Sequence, residues 1–326
     1  MGKRLRVPGP QGADLSTVDG KLGWIGTGRM GFALASRLLK NGCDVAVYNR
    51  TRAKARPLAD MGARLVERPA DLADRDIVMV SVADSPDFAA VMTGPDGLLA
   101  NGGRVPRVVV DTSTVSMDVS RQVREQAHRL GAALLAAPVS GNAKVARAGK
   151  LTMAVSGPRD AFELARPYLE MLGTRAVYVG EGEAARLVKI CHNLVLGVMT
   201  QIMAETTVLA ERGGVSRADY LDFLNSSVMG STFSRYKTPA FVNLDFTPTF
   251  TGQLLRKDFE LGLDAAREMS VPMPVSALVH QIVVGLIGSG LGEQDFATLL
   301  ELEARAANLT LEPDARAVPD GLAPPP

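Results

Sequence analysis

Residues 26–31 read Gly26-Thr27-Gly28-Arg29-Met30-Gly31, after a short apolar run at 21–25 and before a helix-forming stretch at 32–39. A strand that turns on glycines directly into a helix admits few folds, because each glycine has a steric job where a dinucleotide pyrophosphate meets a helix N-terminus. Gly26 permits the tight turn, Gly28 lets backbone amides approach the phosphates, and Gly31 lets the helix pack closely on the strand. In a chain with 32 glycines the six-residue pattern alone is a weak signal, and the strand and helix around it supply its strength.

The next apolar strand pattern, 42–49, ends in Asn49-Arg50-Thr51-Arg52, where an NAD-preferring protein places a carboxylate for the ribose 2′-hydroxyl. An acid there repels a 2′-phosphate, whereas a guanidinium pairs with it. The sequence therefore predicts NADP(H) over NAD(H), with NAD(H) as the alternative cofactor, and Arg50 and Arg52 have the competing reading of a solvated turn. Residues 77–82, 108–111, 134–140, 151–156 and 176–179 continue as β-rich runs between helical segments, the pattern of a mostly parallel sheet covered by helices. Ligands of such sheets lie beyond the carboxyl ends of the strands, which adds Val82 and Ala83 to the expected cofactor contacts.

After Gly180 the alternation stops. Residues 183–212 hold no proline, and the segments to about 311 read as helices broken at Gly213-Gly214, Gly230, Pro239, Pro248 and Pro272. The expected fold class is an α/β Rossmann-type doubly wound domain, 21–181, followed by an all-α domain, 182–311, with a ligand cleft between them. Residues 1–20 and the proline-rich 312–326 are expected to be disordered tails.

A net charge of +1 gives no electrostatic reason to expect nucleic acid, and no stretch reads as a membrane span or signal peptide core. Two cysteines and three scattered histidines show neither a disulfide framework nor metal-ligand spacing, so no metal is expected and the compartment reads as cytoplasm. Trp24, Met79 and the 282–284 run read as core, and Cys191 as a buried, inert thiol.

Chemistry is carried by the start of the long helix. Lys189 and Asn193 lie four residues apart among Leu187, Val188, Ile190, Leu194, Val195 and Leu196, so both project from one helix face. Spacing leaves two readings of Lys189 open. It is a snorkelling surface lysine, or a lysine facing a cleft whose burial lowers its pKa and makes it a proton shuttle.

The chain resembles the β-hydroxyacid dehydrogenase family from about 21 to 311. The resemblance rests on the 26–31 turn, on Asp111-Thr112-Ser113-Thr114, on Ala137-Pro138-Val139-Ser140-Gly141, and on the lysine helix. A fifth segment, Leu255-Arg256-Lys257-Asp258-Phe259-Glu260-Leu261, supports these four. The resemblance implies Lys189 as catalytic acid and base with Asn193 supporting it. It implies Thr114 and Lys257 at the cofactor, Ser140, Gly141, Asn142 and Lys257 at a small carboxylate substrate, and a homodimer or homotetramer. Together with Gly26, Thr27, Gly28, Arg29, Met30, Gly31, Asn49, Arg50 and Thr51, these are the expected site residues. The expected reaction is hydride transfer between NADP(H) and a small β-hydroxy acid or its semialdehyde. An imine reductase-like enzyme and a non-catalytic NADP-binding interaction module are the alternatives.

Departures from the family pattern fall at the substrate loop and the lysine helix. Ala136 stands for an acid, Asn142 and Val145 for glycines, Lys150 for threonine, and His192 for an asparagine. An intact lysine beside an altered loop predicts retained chemistry with altered specificity.

Overall fold

In the computed structural model of the protein, residues 20–100 and 103–322 are described. The chain divides into two compact units. One takes in the residues through Ala137 together with Val155–Leu172 and Gly180–Glu183, and the other Pro138–Ala154, Gly173–Val179 and the residues from Ala184 onward. By packing, these units interleave across the expected boundary at 181/182, and the Ser140 loop packs in the same unit as the long helix. The expected tail at 1–20 lies, up to residue 19, outside the described residues.

The first unit alternates strand and helix. Its elements are β1 (Leu22–Ile25), α1 (Arg29–Lys40), β2 (Val45–Tyr48), α2 (Arg52–Asp60), β3 (Arg64–Leu65), β4 (Ile77–Val80), α3 (Ser85–Thr93), β5 (Val108–Asp111), α4 (Met117–Arg129) and β6 (Ala133–Ala136). The order β3-β2-β1-β4-β5-β6 is parallel throughout, so the sheet changes direction of growth between β1 and β4. That switch point is where the ends of neighbouring strands part and leave a crevice. Strands β1, β4 and β5 are buried along their whole length, as the continuous apolar runs require of a sheet covered on both faces. Trp24 and Met79 are fully buried.

The chain continues through β7 (Val139–Ser140), α5 (Ala143–Arg147), β8 (Thr152–Ser156), α6 (Arg159–Leu172) and β9 (Arg175–Gly180). Val139 and Ser140 pair antiparallel with Met153 and Thr152. The helices that follow are α7 (Ala184–Arg212), α8 (Arg217–Ser226), α9 (Thr232–Asn243), α10 (Gly252–Glu268), α11 (Pro274–Gly288) and α12 (Leu299–Ala306). Helix α7 runs the full proline-free stretch and packs against α8, α10, α11 and α12. By length and composition α7 could cross a membrane, with mean hydropathy 1.4 over its most apolar window, contrary to the expectation that no stretch would. Its apolar residues are divided between the core, through Leu194, Met203, Ala204 and Val208, and an exposed face.

Close packing of α7 on α10 is set by two glycines. A Cβ at Gly197 would stand 2.3 Å from the Phe259 ring, and one at Gly262 would stand 2.7 Å from Leu194. Three local expectations change. Pro239 lies inside α9 rather than breaking it, Val284 is exposed on α11 although its neighbour Val283 is core, and Cys191 is exposed.

Residues 312–322, expected as part of a disordered tail, have no helix or strand but are tied to the second unit. Asn243 donates to the carbonyls of Asp314 and Arg316, Asp314 N donates to Val242 O, and Arg316 reaches Asp219 and Ser216 at 2.8 and 2.7 Å. Val318 packs on the helical core. Prolines remove periodicity from such a segment, yet side chains of the body can satisfy its backbone groups, and here they do.

Candidate functional site

The expected residues fall into two groups, one in each unit. In the first, Gly26 has φ +92° and a Cβ there would meet Ser81 O at 2.2 Å, while a Cβ on Gly31 would meet Gly26 O at 2.1 Å. The fold itself therefore demands both glycines. Gly28 differs. It is exposed, extended at φ −64°, ψ −175°, and among the described residues a Cβ on it would meet no atom within 4 Å. Nothing among the described residues explains a glycine there, whereas a phosphate drawn against the first turn of α1 does.

The strand ends around this turn are stitched together. Gly26 N donates to Tyr48 O, and Ser81 N to Ile25 O. Thr27 N donates to Asn49 Oδ1 at 2.8 Å, and Asn49 Nδ2 donates to Thr51 O at 2.8 Å. Val82 N donates to Ser113 Oγ, and Ser113 N to Asp111 Oδ1, each at 2.9 Å. Asn49, Thr51, Val82 and Ser113 thus fix the rim, with Thr27 Oγ1 buried and without a hydrogen-bond partner among the described residues. Arg29 lies exposed at the start of α1 and Met30 half-buried behind it, while Ala83 is exposed past β4 and Thr114 half-buried past β5. Arg50 is largely exposed and pairs with Asp87 at 2.7 Å, and Arg52 pairs with Glu67. Exposed pairs of this kind contribute little and exchange partners readily. The residues present fit a dinucleotide.

In the second unit, α7 brings Lys189, His192 and Asn193 to one side, facing β7 and α10. Lys189 is half-buried, and its pKa is lowered to about 8. Burial is the main cause; Lys257 adds to it, and the charge of Asp258 opposes it. Asp258 is buried and its pKa is raised by burial, against the pull of Lys257, Asn193 and Lys189. Lys257 Nζ lies 3.7 Å from Asp258 Oδ1 and remains partly exposed.

One hydrogen-bonded chain joins this group. Ser140 Oγ lies 2.8 Å from His192 Nε2, His192 Nδ1 lies 2.9 Å from Asn193 Oδ1, and Asn193 Nδ2 donates to Asp258 Oδ2 at 2.5 Å. Gly141, at φ +122°, has Leu151 and Val145 within 3 Å of where a Cβ would stand, so Val145 fills the space beneath the loop. Asn142, expected at the substrate, is the N-cap of α5, and its Oδ1 accepts from Lys144 N and Val145 N. Its carbonyl is therefore committed to the helix, which leaves the amide NH2 as its free end.

Sequence reasoning missed Asp258 as the anchor of this chain and treated His192 only as a departure. A buried carboxylate inside Leu255-x-x-Asp258-Phe259, set between two apolar core residues, was the available signal for the first. Nothing in the sequence places the His192 ring between Ser140 and Asn193.

Residues 21–180 match the family profile described as the NAD binding domain of 6-phosphogluconate dehydrogenase. Residues 182–302 match the NAD-binding profile of NADP-dependent 3-hydroxyisobutyrate dehydrogenase. The chain belongs to the β-hydroxyacid dehydrogenase family. It is 32% identical over 284 residues to 2-(hydroxymethyl)glutarate dehydrogenase of Eubacterium barkeri, covering 86% of this chain and 94% of that one. It is 30% identical over 282 residues to glyoxylate/succinic semialdehyde reductase 1 of Arabidopsis thaliana, covering 86% and 97%. Among solved structures, Psf3 in complex with NADP+ and 2-OPP superposes with a TM-score of 0.76 at 27% identity, covering 86% and 99%.

For this β-hydroxyacid dehydrogenase family member, the different duties of the glycines are separable. Gly31→Ala is expected to destabilise the fold by about 1–3 kcal/mol, as overpacking against backbone does. Gly28→Ala is expected to leave the urea midpoint unchanged while weakening NADPH binding at least about tenfold, since the lost approach removes hydrogen bonds to charged phosphate. A loss of about tenfold in binding by a stable Gly31→Ala variant with none by Gly28→Ala would contradict the assignment.

Proposed function

We propose that the protein is an NADP(H)-dependent oxidoreductase that interconverts a small β-hydroxy acid and its semialdehyde or 3-oxo acid. The observation that carries the reading is Lys189, whose pKa of about 8 lets one amine both give and take a proton near neutral pH. Bound nicotinamide supplies or accepts the hydride. In reduction, Lys189 Nζ gives a proton to the oxygen that gains charge, and in oxidation the neutral amine takes it from the hydroxyl. Asn193 spends one N–H on Asp258 and has the second for the reacting oxygen, so the carboxylate fixes the direction of the amide. Lys257, partly exposed beside Asp258, and the backbone amides of the 140–142 loop are the groups for the substrate carboxylate.

Arg50 supports the phosphorylated cofactor. Its guanidinium is largely exposed at the end of β2, and its partner Asp87 is a weak competitor for a phosphate.

A homo-oligomer is the third part of the reading. Val188, Val195, Ile202 and Leu209 recur every seven residues on α7, and all four are exposed. Seven-residue spacing keeps side chains on one stripe of a helix, and an apolar stripe of this length is suited to burial against a second copy.

Lys189→Ala is expected to lose at least about a hundredfold in turnover, the lower end of what a positioned proton donor contributes, with NADPH affinity retained. Because reduction needs the protonated amine, its turnover should fall as pH rises through about 8, while oxidation should rise over the same interval. Opposite slopes would refute the lysine assignment, and a screen of C3 to C5 semialdehydes and 3-hydroxy acids tests the reaction class. For the cofactor, Arg50→Glu should reduce kcat/KM with NADPH at least about tenfold, with little change for NADH; a wild-type advantage for NADH would reject the preference. Ile202→Glu should lower the molar mass in light scattering toward one chain, and a wild-type protein that runs as a monomer would remove the oligomer reading.

A further inference from the structure

The hydrogen-bonded chain from Ser140 to Asp258 has a direction, and the direction follows from inventory. A carboxylate only accepts, so the atom of Asn193 facing Asp258 is its amide nitrogen and the atom facing His192 is its oxygen. An amide oxygen also only accepts, so His192 Nδ1 carries the hydrogen. A neutral imidazole has one N–H, which leaves Nε2 as a lone pair 2.8 Å from Ser140 Oγ. The hydroxyl of Ser140 therefore spends its one proton on His192 and presents only lone pairs elsewhere. Burial, and after it the charge of Lys189, lower the pKa of His192, which favours this neutral ring.

We propose that His192 is a specificity-determining residue that fixes Ser140 as a hydrogen-bond acceptor, so that the substrate meets Ser140 with a hydroxyl group and not with its carboxylate. This rests on the dehydrogenase reading above and refines it. Ser140 is removed from the groups that hold the carboxylate, which leaves Lys257 and the loop amides for that charge. A carboxylate set against the Ser140 lone pairs would lack a donor, whereas a hydroxyl would have its proton received. The substrate class is then a β-hydroxy acid bearing a further hydroxyl. His192 acts through Ser140 as a positioning residue and need not touch the substrate.

Two measurements test this independently. The first is the 15N spectrum of the three histidine rings in the wild-type protein, with His192 assigned by its loss in His192→Asn. The expected result is a neutral ring protonated on Nδ1, and a ring protonated on Nε2 overturns the proposal whatever the enzyme does. The second compares oxidation of glycerate and 3-hydroxypropanoate with NADP+, acids that differ by one hydroxyl. Wild-type protein should favour glycerate in KM at least about tenfold, as for a hydroxyl whose proton is received by a positioned acceptor. Ser140→Ala and His192→Asn should each abolish that preference with a smaller change in kcat, and the double variant should add nothing further. A preference that survives Ser140→Ala overturns the proposal. Failure of both acids, and of the wider aldehyde screen, would instead sink the dehydrogenase reading, with the ring spectrum still deciding the hydrogen-bond direction.

Discussion

Asp258 sits buried on α10 with a charge that must be answered, and the residue cluster of the second unit is built as the answer. Lys257 faces one oxygen and the Asn193 amide the other, so α7 cannot turn or slide on α10 without leaving a buried carboxylate short of partners. Gly197 and Gly262 allow the two helices to approach closely enough for that contact. The same charge moderates the burial of Lys189, holding its pKa near 8 rather than lower. One carboxylate thus orients an amide, tunes an amine and gives polarity to a run of hydrogen bonds ending at Ser140.

The glycine turn of the first unit works by shape more than by charge. Two of its glycines are required by backbone oxygens of the fold, and the third is required by nothing among the described residues. Around them the ends of β1, β2, β4 and β5 are tied by Asn49, Ser113 and Asp111, so the rim is fixed before any ligand arrives. Such preorganisation lowers the entropy that binding must overcome.

Much of this was legible in the sequence where periodicity or sterics leave a mark. The parallel strands appear as apolar runs, the long helix as a proline-free stretch, and the turn as glycines in fixed order. Lys189 and Asn193 follow from helical spacing, but their environment does not, because the lowered pKa of Lys189 depends on burial in the folded chain and the partner of Asn193, Asp258, is sixty-odd residues away in sequence. Asn142 reads as a loop residue and is an N-cap, a role that depends on where α5 begins. The 312–322 segment misleads for a related reason: proline content reports the absence of regular structure, and its order comes from Asn243, Arg217 and Val242 in the body of the protein.

The interleaving of the two units bears on how such proteins can be recombined. Family profiles part at 180/182, yet the stretch from Pro138 to Ala154 belongs with the helices that come later. A chimera joined at 181 would inherit its Ser140 from one parent and its His192 from the other, two side chains that touch. Drift in one is therefore constrained by the other, and a graft that preserves recognition has to carry the 138–154 insert together with the lysine helix as a single heritable block.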